Sequence, residues 1–191
     1  GQAPPGHLGG EAFRNREGRL PPGDRMMRTD ELVAHLRSTK SPWVVLLSAS
    51  EFRAHSSWRT RLPDACIRVI DGGKCVTKRA LFAEFKRQLK FPSYFGRNWD
   101  AFEECLTDLE WLPGCGYVIV VRAADKLLSK SENEYRTFLD IVGATAEHWA
   151  TPSFLPRREP IPFHVVFVAP SSKMQSRRWG VPRLDGARTR H

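Results

Sequence analysis

The stretch Phe91-Pro92-Ser93-Tyr94-Phe95-Gly96-Arg97-Asn98-Trp99-Asp100-Ala101-Phe102-Glu103-Glu104-Cys105-Leu106-Thr107-Asp108-Leu109-Glu110-Trp111 carries an aromatic, glycine-containing turn followed by a helix. Asn98 is the candidate N-cap, because its side-chain oxygen can accept one of the unpaired amides of the first turn. At about 100° per residue from Trp99, the side chains of Trp99, Phe102, Cys105, Leu106 and Leu109 share one arc. Asp100, Glu103, Glu104 and Asp108 fill the opposite arc. No Lys or Arg stands between Asn98 and Trp111, although Glu–Lys pairs at i,i+4 are the ordinary support of an exposed helix. Like charges three and four apart instead cost a few tenths of a kcal/mol each. The helix N-terminus accounts for Asp100 but not for Glu103, Glu104 or Asp108. Two readings stay open: a solvated acidic face, or a rigid anionic ridge that meets a cationic partner.

Outward from this segment, strands and helices alternate. Trp43–Leu47, Cys66–Ile70, Tyr117–Val121 and Phe163–Ala169 are short apolar runs of strand length, suited to a sheet covered on both faces. Asp30–Leu36 is a short helix with Thr29 as its cap. Thr77 caps a helix carrying Leu81, Phe82, Phe85 and Leu89, which Pro92 ends. Ser131 and Glu134 form a capping box that opens a helix with Tyr135, Phe138, Leu139, Val142, Ala146 and Trp149 on one side. Ser48–Ala65 is polar and undecided, and Pro152 to Pro162 reads as a proline-rich crossing. The alternation predicts an α/β fold with a mainly parallel sheet.

The chain has 191 residues and a net charge of +9, with 41% hydrophobic and 27% charged residues, the balance of a globular domain. Residues 1–65 carry 10 basic and 7 acidic side chains, residues 66–150 carry 12 of each, and residues 151–191 carry 8 and 2. The body is neutral and the excess is terminal. Residues 1–25 read as a disordered leader, 26–65 as an extension with a helix and a strand, 66–170 as the main domain, and 171–191 as a basic disordered tail. The tail, with Arg177, Arg178, Arg183, Arg188 and Arg190, is the only segment that suggests a nucleic-acid-binding regulator. No apolar run approaches the ~20 residues of a membrane span, and no secretion signal is visible, so a cytoplasmic protein is expected.

The four cysteines and six histidines are scattered without metal-binding spacing, so neither a metal nor a cofactor is expected, and the thiols should be free. Nucleophile elbow, P-loop and dinucleotide fingerprint are all missing, which argues against an enzyme.

Tyr94-Phe95-Gly96-x-Asn98-Trp99-Asp100-Ala101, followed by Cys105-Leu106-Thr107-Asp108-Leu109, resembles the signature of the barstar family of intracellular ribonuclease inhibitors. The resemblance covers about residues 66–168. It implies a three-layer α/β fold, here with an extra N-terminal strand, and inhibition without catalysis. A basic, barnase-type ribonuclease would be plugged by the acidic helix and the preceding loop, and an immunity role against a different toxin is the alternative. By the resemblance, Asp100 and Glu104 are the helix carboxylates, Tyr94 and Asn98 belong to the binding loop, and Gly96 is a turn glycine free to take φ > 0. Glu103 and Asp108 complete the candidate partner-binding set. The chain also departs from the family's founding member. Glu104 replaces an aspartate, Glu103 and Leu109 replace tryptophans, and Arg97 replaces an acid. An interface glutamate on the later helix falls at Gly143 or Ala144, with Asp140 and Glu147 a turn away.

Overall fold

The computed structural model describes residues 28–154 and 157–173, so the expected leader and nearly all of the expected basic tail lie outside the described residues. In chain order it contains α1 (Thr29–Leu36), β1 (Val44–Ser48), α2 (Ala49–Ala54), a 3-10 segment (Ser56–Arg61) and β2 (Cys66–Asp71). There follow α3 (Lys78–Leu89), α4 (Trp99–Asp108), β3 (Tyr117–Arg122), α5 (Glu132–Ala150), β4 (Ser153–Phe154), β5 (Arg157–Arg158) and β6 (Phe163–Ala169). The main sheet has the order β1-β6-β3-β2, and all of its pairings are parallel. The fold is α/β, as the alternation of apolar runs predicted.

Register and the two-residue period of a strand explain the layers. The row Leu46–Phe167–Val121–Ile70 points to one face, where α3, α4 and α5 bury it. The next row, Val45–Val166–Val120–Val69, points to the other face, toward α1, Trp58 and Leu62. β1, at one edge, and β6 are buried at every position, whereas most of β2, at the other edge, is only half-covered. Side chains blunt that edge: Asp71 N–H donates to Glu84 Oε1 at 3.5 Å, and Arg68 donates to the Ile67 carbonyl at 3.1 Å.

Several local expectations need correction. The cap of α1 is Arg28, whose N–H donates to Glu31 Oε2 at 3.0 Å. Thr29 instead shares a 2.9 Å hydrogen bond with His55 Nδ1, a contact from the polar stretch that sequence left undecided. That stretch is α2 and the 3-10 segment, opened by a capping box in which Ser48 Oγ accepts from Glu51 N–H and Glu51 Oε2 accepts from Ser48 N–H. α3 ends at Leu89 because Lys90 takes φ 55, two residues before Pro92. Only half of the Ser131–Glu134 capping box forms. Ser131 Oγ accepts from Glu134 N–H, but Ser131 N–H donates to the Leu128 carbonyl and the Glu134 carboxylate reaches α4. The proline-rich crossing contains the antiparallel β4–β5 pair. No helix of the described residues is long and apolar enough to cross a membrane.

Candidate functional site

The turn before α4 is set by its aromatics. Phe95 N–H donates to the Pro92 carbonyl at 3.2 Å, and the Phe95 ring packs edge-on against Phe91 and Phe82. Phe95 is therefore buried, and its neighbour Tyr94 is turned outward, 72% exposed. The reversal of direction falls on Arg97, at φ 55, and not on Gly96. A Cβ on Gly96 would meet only ordinary contacts, at 3.5 Å from Asn98 Nδ2 and 3.6 Å from Ala101 Cβ. The expected role of Gly96 as the left-handed residue is thus corrected: Arg97, directly before the N-cap Asn98, takes that conformation.

Asn98 caps α4 as expected, its Oδ1 accepting from Ala101 N–H at 2.7 Å. The inward face is fixed at three places, and the segment just past the helix at a fourth. Phe102, Cys105 and Leu106 are buried, and Phe102 packs against Phe82, Phe85 and Phe138. Trp99 Nε1 donates to Glu134 Oε2 at 2.6 Å, while Lys78 Nζ lies 2.9 Å from Glu134 Oε1. These partners hold the Glu134 carboxyl below its ordinary range, Lys78 first. Trp149 Nε1 donates to the Leu106 carbonyl at 2.9 Å, and Trp111 Nε1 to the Leu89 carbonyl at 2.8 Å. Leu109 lies outside the helix as its left-handed C-cap, at φ 46, and buries its side chain there.

The outward face carries Asp100, Glu104 and Asp108, all exposed and one turn apart, about 6 Å of rise each. Glu103 departs from expectation: it is half-buried at the shoulder of the apolar arc, beside Trp99 rather than among the other carboxylates. Among the described residues no Lys or Arg forms an ion pair with Asp100, Glu103, Glu104 or Asp108. Their field is felt by neighbours. Loss of hydration first, and then Asp108, Cys105, Glu110 and Glu104, push the Tyr94 hydroxyl above its ordinary value. Burial, followed by Asp108 and Glu104, does the same to the Cys105 thiol. Glu110 was not among the residues picked from sequence. Its signal was its place two residues beyond Asp108, past the end of the periodic pattern.

On α5, Asp140 and Glu147 are exposed, and a Cβ at Gly143 would meet nothing within 4 Å. The four cysteines are free thiols, with Cys75 and Cys105 buried and Cys115 exposed.

Chemically, the arrangement is an exposed row of carboxylates on a helix that packing and two indole hydrogen bonds hold in place, with a third fixing the segment just past its end. Such a row can receive cations without rearranging itself. No curated protein matches the chain. The family described as Barstar (barnase inhibitor) matches residues 65–168, more than half of the chain and the whole stretch from β2 through the body of β6. With α4 and its turn inside that match, the chain belongs to the barstar (barnase inhibitor) family.

Proposed function

We infer that the protein is a non-enzymatic inhibitor that closes the active site of a basic ribonuclease with α4 and the turn before it. The observation that carries this reading is the row Asp100, Glu104 and Asp108, without an ion-pair partner among the described residues, on the exposed face of a firmly held helix. A ribonuclease of the barnase type holds RNA phosphates with arginine and lysine. Carboxylates brought into that site form charge-assisted hydrogen bonds with the same groups, and a guanidinium can be bound bidentately. Asp100 and Glu104 are the central anchors, Asp108 extends the row, and Tyr94 supplies an aromatic contact beside them. Asn98 acts through the cap that orients the helix. Glu103, at the shoulder, contributes less. Membership of an inhibitor family supports the class of target, and the free thiols support a cytoplasmic setting.

The departures favour a target whose contacts differ from those of barnase itself. α5 presents Gly143 and the exposed Ala144 where the family's resemblance places a glutamate. A related secreted toxin is the variant of this reading that fits them.

The test is inhibition of RNA cleavage by basic ribonucleases of the barnase type, using the full chain. Stoichiometric inhibition is expected, with an association rate that falls as salt rises, because opposed charges steer the encounter. Undiminished cleavage by every such enzyme at equimolar, micromolar inhibitor contradicts the reading.

A further inference from the structure

We propose that a second binding site lies in the crevice at the carboxyl ends of the parallel strands, and that its ligand is a nucleoside phosphate. The topology opens this crevice. The chain leaving β1 enters α2, whose Ala49 and Phe52 pack on one face of the sheet. The chain leaving β3 goes to the opposite face, where Ala124 and Leu127 are buried. β6 lies between these two strands, so the connections part above its end. Open α/β sheets bind ligands where neighbouring connections diverge in this way.

The crevice has a volume of about 820 Å³, within the range of small-ligand sites. Phe52, Val69 and Val168 give it an apolar wall, and Arg53, Arg59 and Arg122 give it cations. Among the described residues no Asp or Glu lines it. Among the described residues none of the three arginines is in an ion pair. Ala123, also in the lining, takes φ 48, a strained conformation for a residue with a Cβ. It is clamped by Gly72, where an added Cβ would stand 2.6 Å from the Ala123 carbonyl oxygen.

Cations around an apolar wall call for an anion with a flat hydrophobic part. Guanidinium groups match phosphate oxygens in geometry and charge, and the wall offers a face to a base. The chain's own segment after Lys173 starts close by, since Pro170 lines the crevice, but it carries Arg177, Arg178, Arg183, Arg188 and Arg190 against a single acid, Asp185. Like charge disfavours it as the occupant. Residues 49–59 of the lining precede the family match at 65–168, so this site depends on the N-terminal addition and is separate from the α4 row.

The test is calorimetric titration of the full chain with each of the four nucleoside 5′-monophosphates and with the matching nucleosides. At least one nucleotide should bind with a Kd below about 1 mM. Its nucleoside should bind at least tenfold more weakly. Arg53→Gln and Arg122→Gln should each weaken the nucleotide at least tenfold without moving the melting midpoint, while Glu104→Ala leaves it unchanged. Absence of nucleotide binding overturns the proposal, as does undiminished binding by both arginine variants. Loss of binding on removal of residues 174–191 overturns it by placing the phosphate on that segment. So does a single-stranded RNA that binds at least tenfold tighter than any nucleotide.

Discussion

Trp99 and Glu134 lie 35 residues apart in sequence, yet their 2.6 Å hydrogen bond fixes the start of α4 against α5. Glu134 also pairs with Lys78, whose exposed ammonium water can solvate, so its removal strands chiefly the half-buried indole N–H. Glu134→Ala should cost about 1–3 kcal/mol in urea denaturation, the price of unpaired groups. It should weaken partner binding as well, because the ridge loses its footing. Gly143 gives the opposite case. It sits inside α5 with open space around its missing Cβ, and helix interiors disfavour glycine by about 0.5–1 kcal/mol relative to alanine. Gly143→Ala should raise stability by that amount, and a lowered melting midpoint would contradict the open geometry.

At the scale of elements, α4 was the most legible part of the chain. Asn98, the buried Phe102, Cys105 and Leu106, and the exposed Asp100, Glu104 and Asp108 follow from helical period and capping chemistry alone. The same period sets Glu103 only about 40° from Trp99, on the shoulder of the apolar arc and apart from the other carboxylates, and its half-burial agrees with that place. Leu109 and Arg97 were missed for a different reason. Both adopt left-handed conformations that aliphatic and basic side chains do not announce. α2 escaped notice because six residues are too few to show a period, although its capping box of Ser48 and Glu51 was readable. The orientation of α4 has a direct chemical check. Burial pushes the thiols of Cys75 and Cys105 up, Cys75 to about 12, and both are shielded from solvent. A thiol reagent at neutral pH should modify Cys115 quickly and spare these two until the protein unfolds. Rapid native labelling of Cys105 would mean that the helix face is turned the other way.

For the whole molecule, the N-terminal addition is part of the core. β1 pairs with β6 along its length, and α1 covers the valine row that β6 and β3 present. His164 lies fully buried at this junction, its Nε2–H donating to the Ser38 carbonyl at 2.8 Å, with the ring 4.8 Å from His35. Its Nδ1 is buried without a partner, so protonation would place a charge and an unpaired donor in the core. Burial, aided by His35, depresses its pKa to about 4 from 6.5. The neutral form is the one that folds, so stability should be full above pH 6.5 and fall as pH drops toward 4. The loss should reach about 3 kcal/mol at most. Urea melts between pH 7 and pH 4 should show this slope, and His164→Asn should flatten it. An unchanged slope in that variant would assign the acid sensitivity elsewhere. On the opposite side of the sheet, Glu104 stands in the middle of the carboxylate row. Truncating one member of a close charge pair at an interface costs about 2–5 kcal/mol, a range set in part by the barnase–barstar pair of this same family. The decisive measurement is the Kd of Glu104→Ala for the inhibited ribonuclease, taken beside its melting midpoint. At least thirtyfold weaker binding, about 2 kcal/mol, is expected with stability held within about 0.5 kcal/mol. Wild-type affinity in that variant would reduce the row to a solvated helix face and contradict the assignment of function to it.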